Sequence, residues 1–156
     1  MSENTIMSLE QKIMEKMKDA MRSKNEGALR GLRAIKSAIL LAKTEPGATD
    51  PISEADEIKL LTKMQKQRKD SLTIYNEQGR ADLAQKEIEE LEVIEQFLPE
   101  QLSSEDLKQF IAKVIADTGA SGIKDMGKVM GIASKELAGK AEGKLISEMV
   151  KSLLGA

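Results

Sequence analysis

Apolar residues recur every three or four positions along almost the whole of this 156-residue chain. In the first such segment they stand at Leu9, Ile13, Met17 and Met21, a spacing that places them on one face of a helix. No segment shows the alternation of β-branched residues that is typical of a strand. The sequence therefore predicts an all-α fold.

Serines mark the starts of three predicted helices. Ser8, Ser53 and Ser103 are candidate N-caps, and Gln11 completes a capping-box pattern with Ser8. Ser8 begins the first helix. The apolar spacing predicts six further helices, at about 27–43, 54–78, 82–98, 104–118, 123–137 and 142–154.

Prolines and glycines indicate how these helices are connected. Residues 44–51 contain Pro46-Gly47 and Asp50-Pro51 and are predicted to form a loop. Gly79 leaves so short a connection between the third and fourth helices that the two must form an antiparallel hairpin. Pro99 ends the fourth helix, and the helices after it are shorter. The sequence thus predicts an N-terminal antiparallel helical bundle with a long hairpin at 1–98, followed by a small three-helix domain at 99–156.

One charged residue falls in the middle of each apolar face of this hairpin. These residues are Arg68 on the third helix and Glu87 on the fourth, and a turn at Gly79 places them at the same level. Opposite charges on apolar faces are tolerated when they meet. The sequence favours an ion pair that fixes the helix register, with a polar site inside the bundle as the alternative.

The composition excludes several classes of site. The chain has no His, no Cys and no Trp, and its only aromatic residues are Tyr75, Phe97 and Phe110. Disulfides, thiol or imidazole catalysis, the usual zinc sites and base-stacking surfaces are therefore not expected. The glutamates of 87–95 are predicted to form a solvated helix face with one residue turned to the bundle. No catalytic residue, metal site or cofactor is predicted.

No basic and apolar leader and no long apolar segment is present, so a cytoplasmic protein without membrane contact is predicted. The nine methionines are predicted to fill a core poor in aromatics, with a promiscuous binding groove as the alternative.

Basic residues fall into three clusters although the net charge is −2. Arg30 and Arg33 are predicted to face outward from the second helix. The second cluster lies along one outer face of the third helix, and the third flanks glycines at helix ends near the C-terminus. These two clusters consist of Lys59, Lys63 and Lys66, and of Lys124, Lys128, Lys140 and Lys144.

Six short motifs occur in a familiar order and spacing: LRAIKSA (32–38), QRKDS (67–71), GRADLA (79–84), EQFLPEQL (95–102), DMGKVM (125–130) and GKAEGKL (139–145). Together they resemble the YqeY family. Its members are small proteins related to the tail of GatB, the tRNA-binding subunit of the glutamine-dependent tRNA amidotransferase. The resemblance covers about 8–154 and implies that the three-helix domain is GatB-tail-like.

The resemblance also implies a function. It points to a tRNA-binding accessory protein related to tRNA-dependent amidotransfer, with tRNA and an amidotransferase or other translation-related protein as partners. The family label is carbon–nitrogen ligase with glutamine as amido donor, but no catalytic site of this kind is visible in the chain. The alternative is a helical protein–protein interaction module. The nucleic-acid-binding candidates are Lys124, Lys128, Lys140 and Lys144, with Gly127, Gly139 and Gly143.

Overall fold

The computed structural model describes residues 7–155, and these form seven α-helices and one short 3₁₀ helix, with no strand among them. The all-α prediction is confirmed. The α-helices are α1 (Leu9–Arg22), α2 (Glu26–Lys43), α3 (Glu54–Glu77), α4 (Ala81–Gln96), α5 (Ser104–Thr118), α6 (Met126–Glu136) and α7 (Gly143–Gly155).

The helix ends follow local capping chemistry. Ser8, Ser53 and Ser103 each accept a hydrogen bond from the backbone N–H three residues later, as predicted. Asn25 does the same for Ala28, so α2 begins at Glu26 and slightly earlier than the sequence indicated. Gly79 follows α3 at φ 69°, a left-handed conformation that favours glycine.

Backbone contacts divide the chain into two compact units, one ending at Leu98 and the other beginning at Pro99. In the first unit, α3 and α4 form the antiparallel hairpin. Helix α2 packs on α4 and also contacts α3, while α1 packs on α2. The centre of this core is formed by fully buried aliphatic side chains: Ile13, Ile35, Ile39, Leu61 and Ile94.

Helices α2 and α4 approach each other closely through a glycine. A Cβ atom built on Gly31 would lie 3.0 Å from two carbon atoms of Val93. Four residues earlier on both helices, a Cβ on Gly27 would lie 3.0 Å from Oε2 of Glu89. The two helices therefore run in the same direction, and charged groups on their edges can meet.

The second unit packs α5, α6 and α7 around a separate core, in which Ile111, Val129, Ala133 and Val150 are fully buried. A 3₁₀ helix at Ile123–Asp125 precedes α6, where the sequence predicted one continuous helix from Ile123. The chain is tightened here because Asp125 N–H donates to the Gly122 carbonyl, and the Asp125 carboxylate accepts from the Ser121 N–H at 2.8 Å. Within residues 7–155, no helix is both long and apolar enough to span a membrane.

Candidate nucleic-acid interface and charged network

The turn before α7 is held in one conformation by hydrogen bonds. Gly139 is buried and has φ 77°, a value that L side chains rarely adopt. The Leu102 N–H donates to the Lys140 carbonyl at 2.9 Å, and the Gln101 side-chain amide donates to the Gly139 carbonyl. The Lys140 N–H donates to the Leu137 carbonyl at 2.8 Å. This turn therefore presents its next side chains from a fixed backbone.

Lys140 and Lys144 are the exposed cations that this turn presents. Lys144 is the second residue of α7, and Gly143 is the first. A Cβ atom on Gly143 would have nothing within 4 Å, and the half-buried Glu142 directly precedes it. The arrangement suits an anion, because the first N–H groups of a helix have no partner within it.

Lys124 and Lys128 lie elsewhere in the second unit. Both are exposed, and Gly127 beside Lys128 also has open space around it. The side chain of Ile123, next to Lys124, lies against Gly155 at the end of α7. Since α7 has 13 residues, its ends are about 18 Å apart. The structure thus separates the candidate lysines into two groups, Lys124 with Lys128 and Lys140 with Lys144.

The three candidate glycines differ in what their backbone requires. Gly139 alone has a positive φ, and its carbonyl is bound within the fold. Gly127 and Gly143 lie in the first turns of α6 and α7, where other residues would also fit. Of the three, Gly139 is therefore the one whose backbone conformation favours glycine.

In the first unit, two arginines and three glutamates form a network that joins α2 to the hairpin of α3 and α4. Arg30 Nη2 donates to Glu89 Oε2 at 2.6 Å, and Arg30 Nε lies 3.4 Å from Glu90 Oε1. Arg68 Nε lies 3.2 Å from Glu90 Oε2 and 3.8 Å from Glu87 Oε2. Glu90 is 9% exposed and is the central carboxylate.

Two sequence expectations about these residues are wrong. Arg30 is half-exposed rather than turned freely to solvent, because its guanidinium contacts Glu89 and Glu90 on α4; Arg33 is exposed as predicted. The glutamates of α4 turn three side chains toward arginines rather than one. The missed partner is Glu90, whose place depends on how α2 packs against the hairpin.

The electrostatics of Glu87 reflect its position inside this network. Burial raises the pKa of the Glu87 carboxyl above its ordinary value of 4.5, and the charge of Glu90 raises it further. Arg68 and Arg30 act in the opposite direction. Neither Arg68 Nε nor Glu87 Oε2 has a hydrogen-bond partner, although both atoms are buried. The Glu87–Arg68 contact is therefore an ion pair without a directed hydrogen bond.

No group of three or more acidic side chains between Met7 and Gly155 is arranged to hold a metal ion. The network instead pairs its carboxylates with guanidinium groups, which is the arrangement of a charged contact between helices.

The sequence matches the family described as Yqey-like protein over residues 10–154. The chain belongs to this family. It is similar to an uncharacterized protein of Schizosaccharomyces pombe, with 31% identity over 103 residues that cover 65% of this chain and 80% of the relative. It is also similar to altered inheritance of mitochondria protein 41, mitochondrial, of Pyrenophora tritici-repentis. That match has 27% identity over 145 residues, covering 90% of this chain and 77% of the relative.

The family match and the match to the second relative extend through both compact units. Because the name of the second relative includes the word mitochondrial, a cytoplasmic location for this chain stays a prediction.

Proposed function

We propose that this chain is a tRNA-binding accessory protein whose C-terminal unit contacts the phosphate backbone. The observation that carries the proposal is the fixed turn at 139–140, which presents the exposed Lys140 and Lys144 at the start of α7. The resemblance of this region to the tail of a tRNA-binding amidotransferase subunit supports tRNA as the RNA class.

The chemistry of the surface suits phosphate contacts rather than base recognition. Lysine ammonium groups bind phosphate as point charges, and a helix N-terminus adds partial positive charge. Phe110 is the single aromatic residue after Pro99, so stacking of several bases on aromatic side chains is not available. Backbone contacts position RNA without reading its sequence, so another component would select the tRNA species.

The proposed role in amidotransfer is an accessory one. With no His and no Cys, the chain lacks the side chains that most often activate a nucleophile at neutral pH. A carbon–nitrogen ligase reaction would then require the catalytic groups of partner subunits, while this chain binds the tRNA.

Binding is expected to be weak and sensitive to salt. Residues 99–156 contain 8 Lys+Arg and 8 Asp+Glu, which gives this unit no net charge to attract RNA from a distance. With about three to five phosphate contacts, we expect a dissociation constant of about 1 μM or weaker near physiological salt.

The test is a salt titration of tRNA binding by the full chain and by Lys140→Ala/Lys144→Ala. Losing two phosphate contacts should lower the slope of log K against log salt by roughly 1.4 to 1.8. Lys108→Ala/Lys113→Ala removes two exposed lysines of α5 in the same unit and is the matched control. Absence of wild-type binding at low salt, or equal losses in both variants, would contradict the proposal.

A protein-interaction module is the second candidate function. Met14 and Met21 lie two turns apart on α1 and are 45% and 53% exposed, so they could supply a flexible apolar contact. Replacing both with Gln should leave tRNA binding unchanged and weaken a protein complex that depends on α1. If wild-type protein binds no tRNA at low salt, this second function becomes the better supported one.

A further inference from the structure

We infer a second RNA-contact surface in the N-terminal unit, formed by Lys59, Lys63 and Lys66 on the exposed face of α3. We call these three residues the α3 lysine row. The observations that identify the row do not involve Lys140 or Lys144. The choice of RNA as its ligand rests on the proposed function. The row would hold a phosphate backbone through charge alone.

Helix geometry places the three lysines in a line. Separations of four and three residues keep their side chains within about 60° around the helix axis and spread them over about 10 Å along it. All three are exposed on α3. Neighbouring residues of the row lie about one helical turn apart, a distance at which successive ammonium groups can contact neighbouring phosphates of one strand.

The segment of sequence around the row contains basic residues and no acidic ones. Residues 58–69 include four Lys and one Arg, and no Asp or Glu. Arg68 in this segment is directed to Glu87 and Glu90 on α4. Within the part of the chain that the structure describes, no carboxylate pairs with Lys59, Lys63 or Lys66.

Some of the other cations of the same unit are paired with carboxylates. Lys43 pairs with Glu10 and Asp50, Arg30 with Glu89, and Arg80 with Asp82. The unit has 16 Lys+Arg and 18 Asp+Glu, so carboxylates are abundant. The α3 lysine row is a local positive surface between Glu57 and Asp70, on a unit of net negative charge.

The surroundings of the row favour RNA over a protein partner. The adjacent residues Thr62 and Gln67 are polar, and the exposed apolar residue of α3, Ile74, lies eight positions after Lys66. Protein interfaces are depleted in lysine and depend on buried aromatic or apolar anchors. A phosphate backbone needs no such anchor, because released counterions provide the driving force.

The experiment compares tRNA binding by the full chain with that of Lys59→Ala/Lys63→Ala/Lys66→Ala between 50 and about 200 mM salt. We expect tighter binding by the wild type at low salt and a slope reduced by roughly 2 to 2.7 in the variant. Alanine favours helix, so α3 should persist, and circular dichroism checks that it does. Replacing the same three residues with Arg should retain binding.

The matched control is Lys12→Ala/Lys16→Ala/Lys18→Ala. It removes three exposed lysines from α1 of the same unit, where Glu15 and Asp19 are interspersed. An equal effect of both triple variants would overturn the inference, since it would reflect net charge alone. No effect of the α3 variant would also overturn it.

The two RNA proposals fail separately. If Lys140→Ala/Lys144→Ala weakens tRNA binding and the α3 variant does not, the α3 lysine row does not contact RNA and the proposed function stands. If the α3 variant alone weakens binding, the row is supported and the C-terminal contact is wrong. A competition experiment tests the ligand itself. If an acidic polypeptide displaces tRNA from the row at about a tenth of the tRNA concentration, with both counted as moles of negative charge, RNA is not the ligand of the row.

Discussion

Glu90 Oε2 lies 3.2 Å from Arg68 Nε, closer than the 3.8 Å that separates the same nitrogen from Glu87. The other carboxylate oxygen of Glu90 lies 3.4 Å from Arg30 on α2. One carboxylate on α4 thus contacts guanidinium groups from both neighbouring helices. Glu90, rather than Glu87, is the carboxylate that contacts arginines of both α2 and α3.

Replacing Glu90 with Leu should therefore destabilise the protein more than replacing Glu87 with Leu. Loss of Glu90 leaves Arg68 with one longer ion pair and Arg30 with Glu89 alone, at an expected cost of about 3 kcal/mol in the free energy of unfolding. Loss of Glu87 leaves Arg68 with Glu90, and we expect about 1 kcal/mol or less. Urea denaturation of the two variants measures the difference, and equal losses would contradict the central role of Glu90.

The pH dependence of stability should report on Glu87. Its folded-state pKa is raised, so the folded protein binds this proton more tightly than the unfolded chain does. The corresponding stabilisation is complete below the unfolded value of about 4.5 and is lost as pH rises through the folded pKa. Glu87→Gln should consequently gain stability relative to wild type as the pH rises above about 4.5.

Denaturation curves at several pH values measure this gain. Glu92→Gln, at an exposed position on the same helix, is the control and should follow the wild type. A difference between Glu87→Gln and wild type that stays constant with pH would show that the Glu87 pKa is not raised by folding.

Features that depend on local sequence could be predicted, and those that depend on packing could not. The caps at Ser8, Ser53 and Ser103 involve residues three positions apart, so the sequence alone contains both partners. The level of Arg68 on the hairpin follows similarly from one short turn. Arg30 differs because its partners are 59 and 60 residues away, and only the packing of α2 on α4 brings them near.

The candidate site shows the same division. The exposure of Lys140 and Lys144 follows from their place at a helix start, which the apolar spacing indicates. The buried state of Gly139 depends on Gln101 and Leu102, which bind the turn from a distant part of the sequence. No local signal distinguishes this glycine from Gly127 or Gly143.

The loop between α2 and α3 should be the first site of proteolysis. Elastase prefers small residues, and Ala48 lies among exposed residues of the loop. Ala138 is also small and exposed, but the adjacent turn is bound by Gln101 and Leu102. Mass spectrometry of brief digests should therefore detect cleavage after Ala48 before cleavage after Ala138, and the reverse order would contradict this assignment.

The isolated chain should not transfer an amide group. We expect no product from glutamine, ATP and misacylated tRNA, because the chain has no His or Cys to activate a nucleophile. A complete amidotransferase in parallel verifies the assay. Turnover by the chain alone, abolished by a point substitution within it, would show that it has its own catalytic site.

Replacing glycine with alanine should have opposite effects on stability at Gly31 and Gly131, because Gly31 lies where α2 and α4 approach closely and Gly131 does not. Gly31→Ala places a methyl group 3.0 Å from the side chain of Val93, whose β-branch leaves it little freedom to move. Overpacking should cost about 1 to 3 kcal/mol, more than alanine gains in helix propensity. Gly131→Ala on α6 meets nothing within 4 Å and should stabilise the protein by up to about 1 kcal/mol.

Thermal and urea denaturation of the two single variants measure these opposite signs. The combination Gly31→Ala/Val93→Ala removes the Val93 methyl groups at 3.0 and 3.3 Å but keeps its Cβ at 3.0 Å, so it should recover part of the loss. Recovery would assign the cost to the contact between α2 and α4 rather than to the glycine itself. If Gly31→Ala instead stabilises the protein as much as Gly131→Ala, α2 and α4 do not approach as closely as the structure shows.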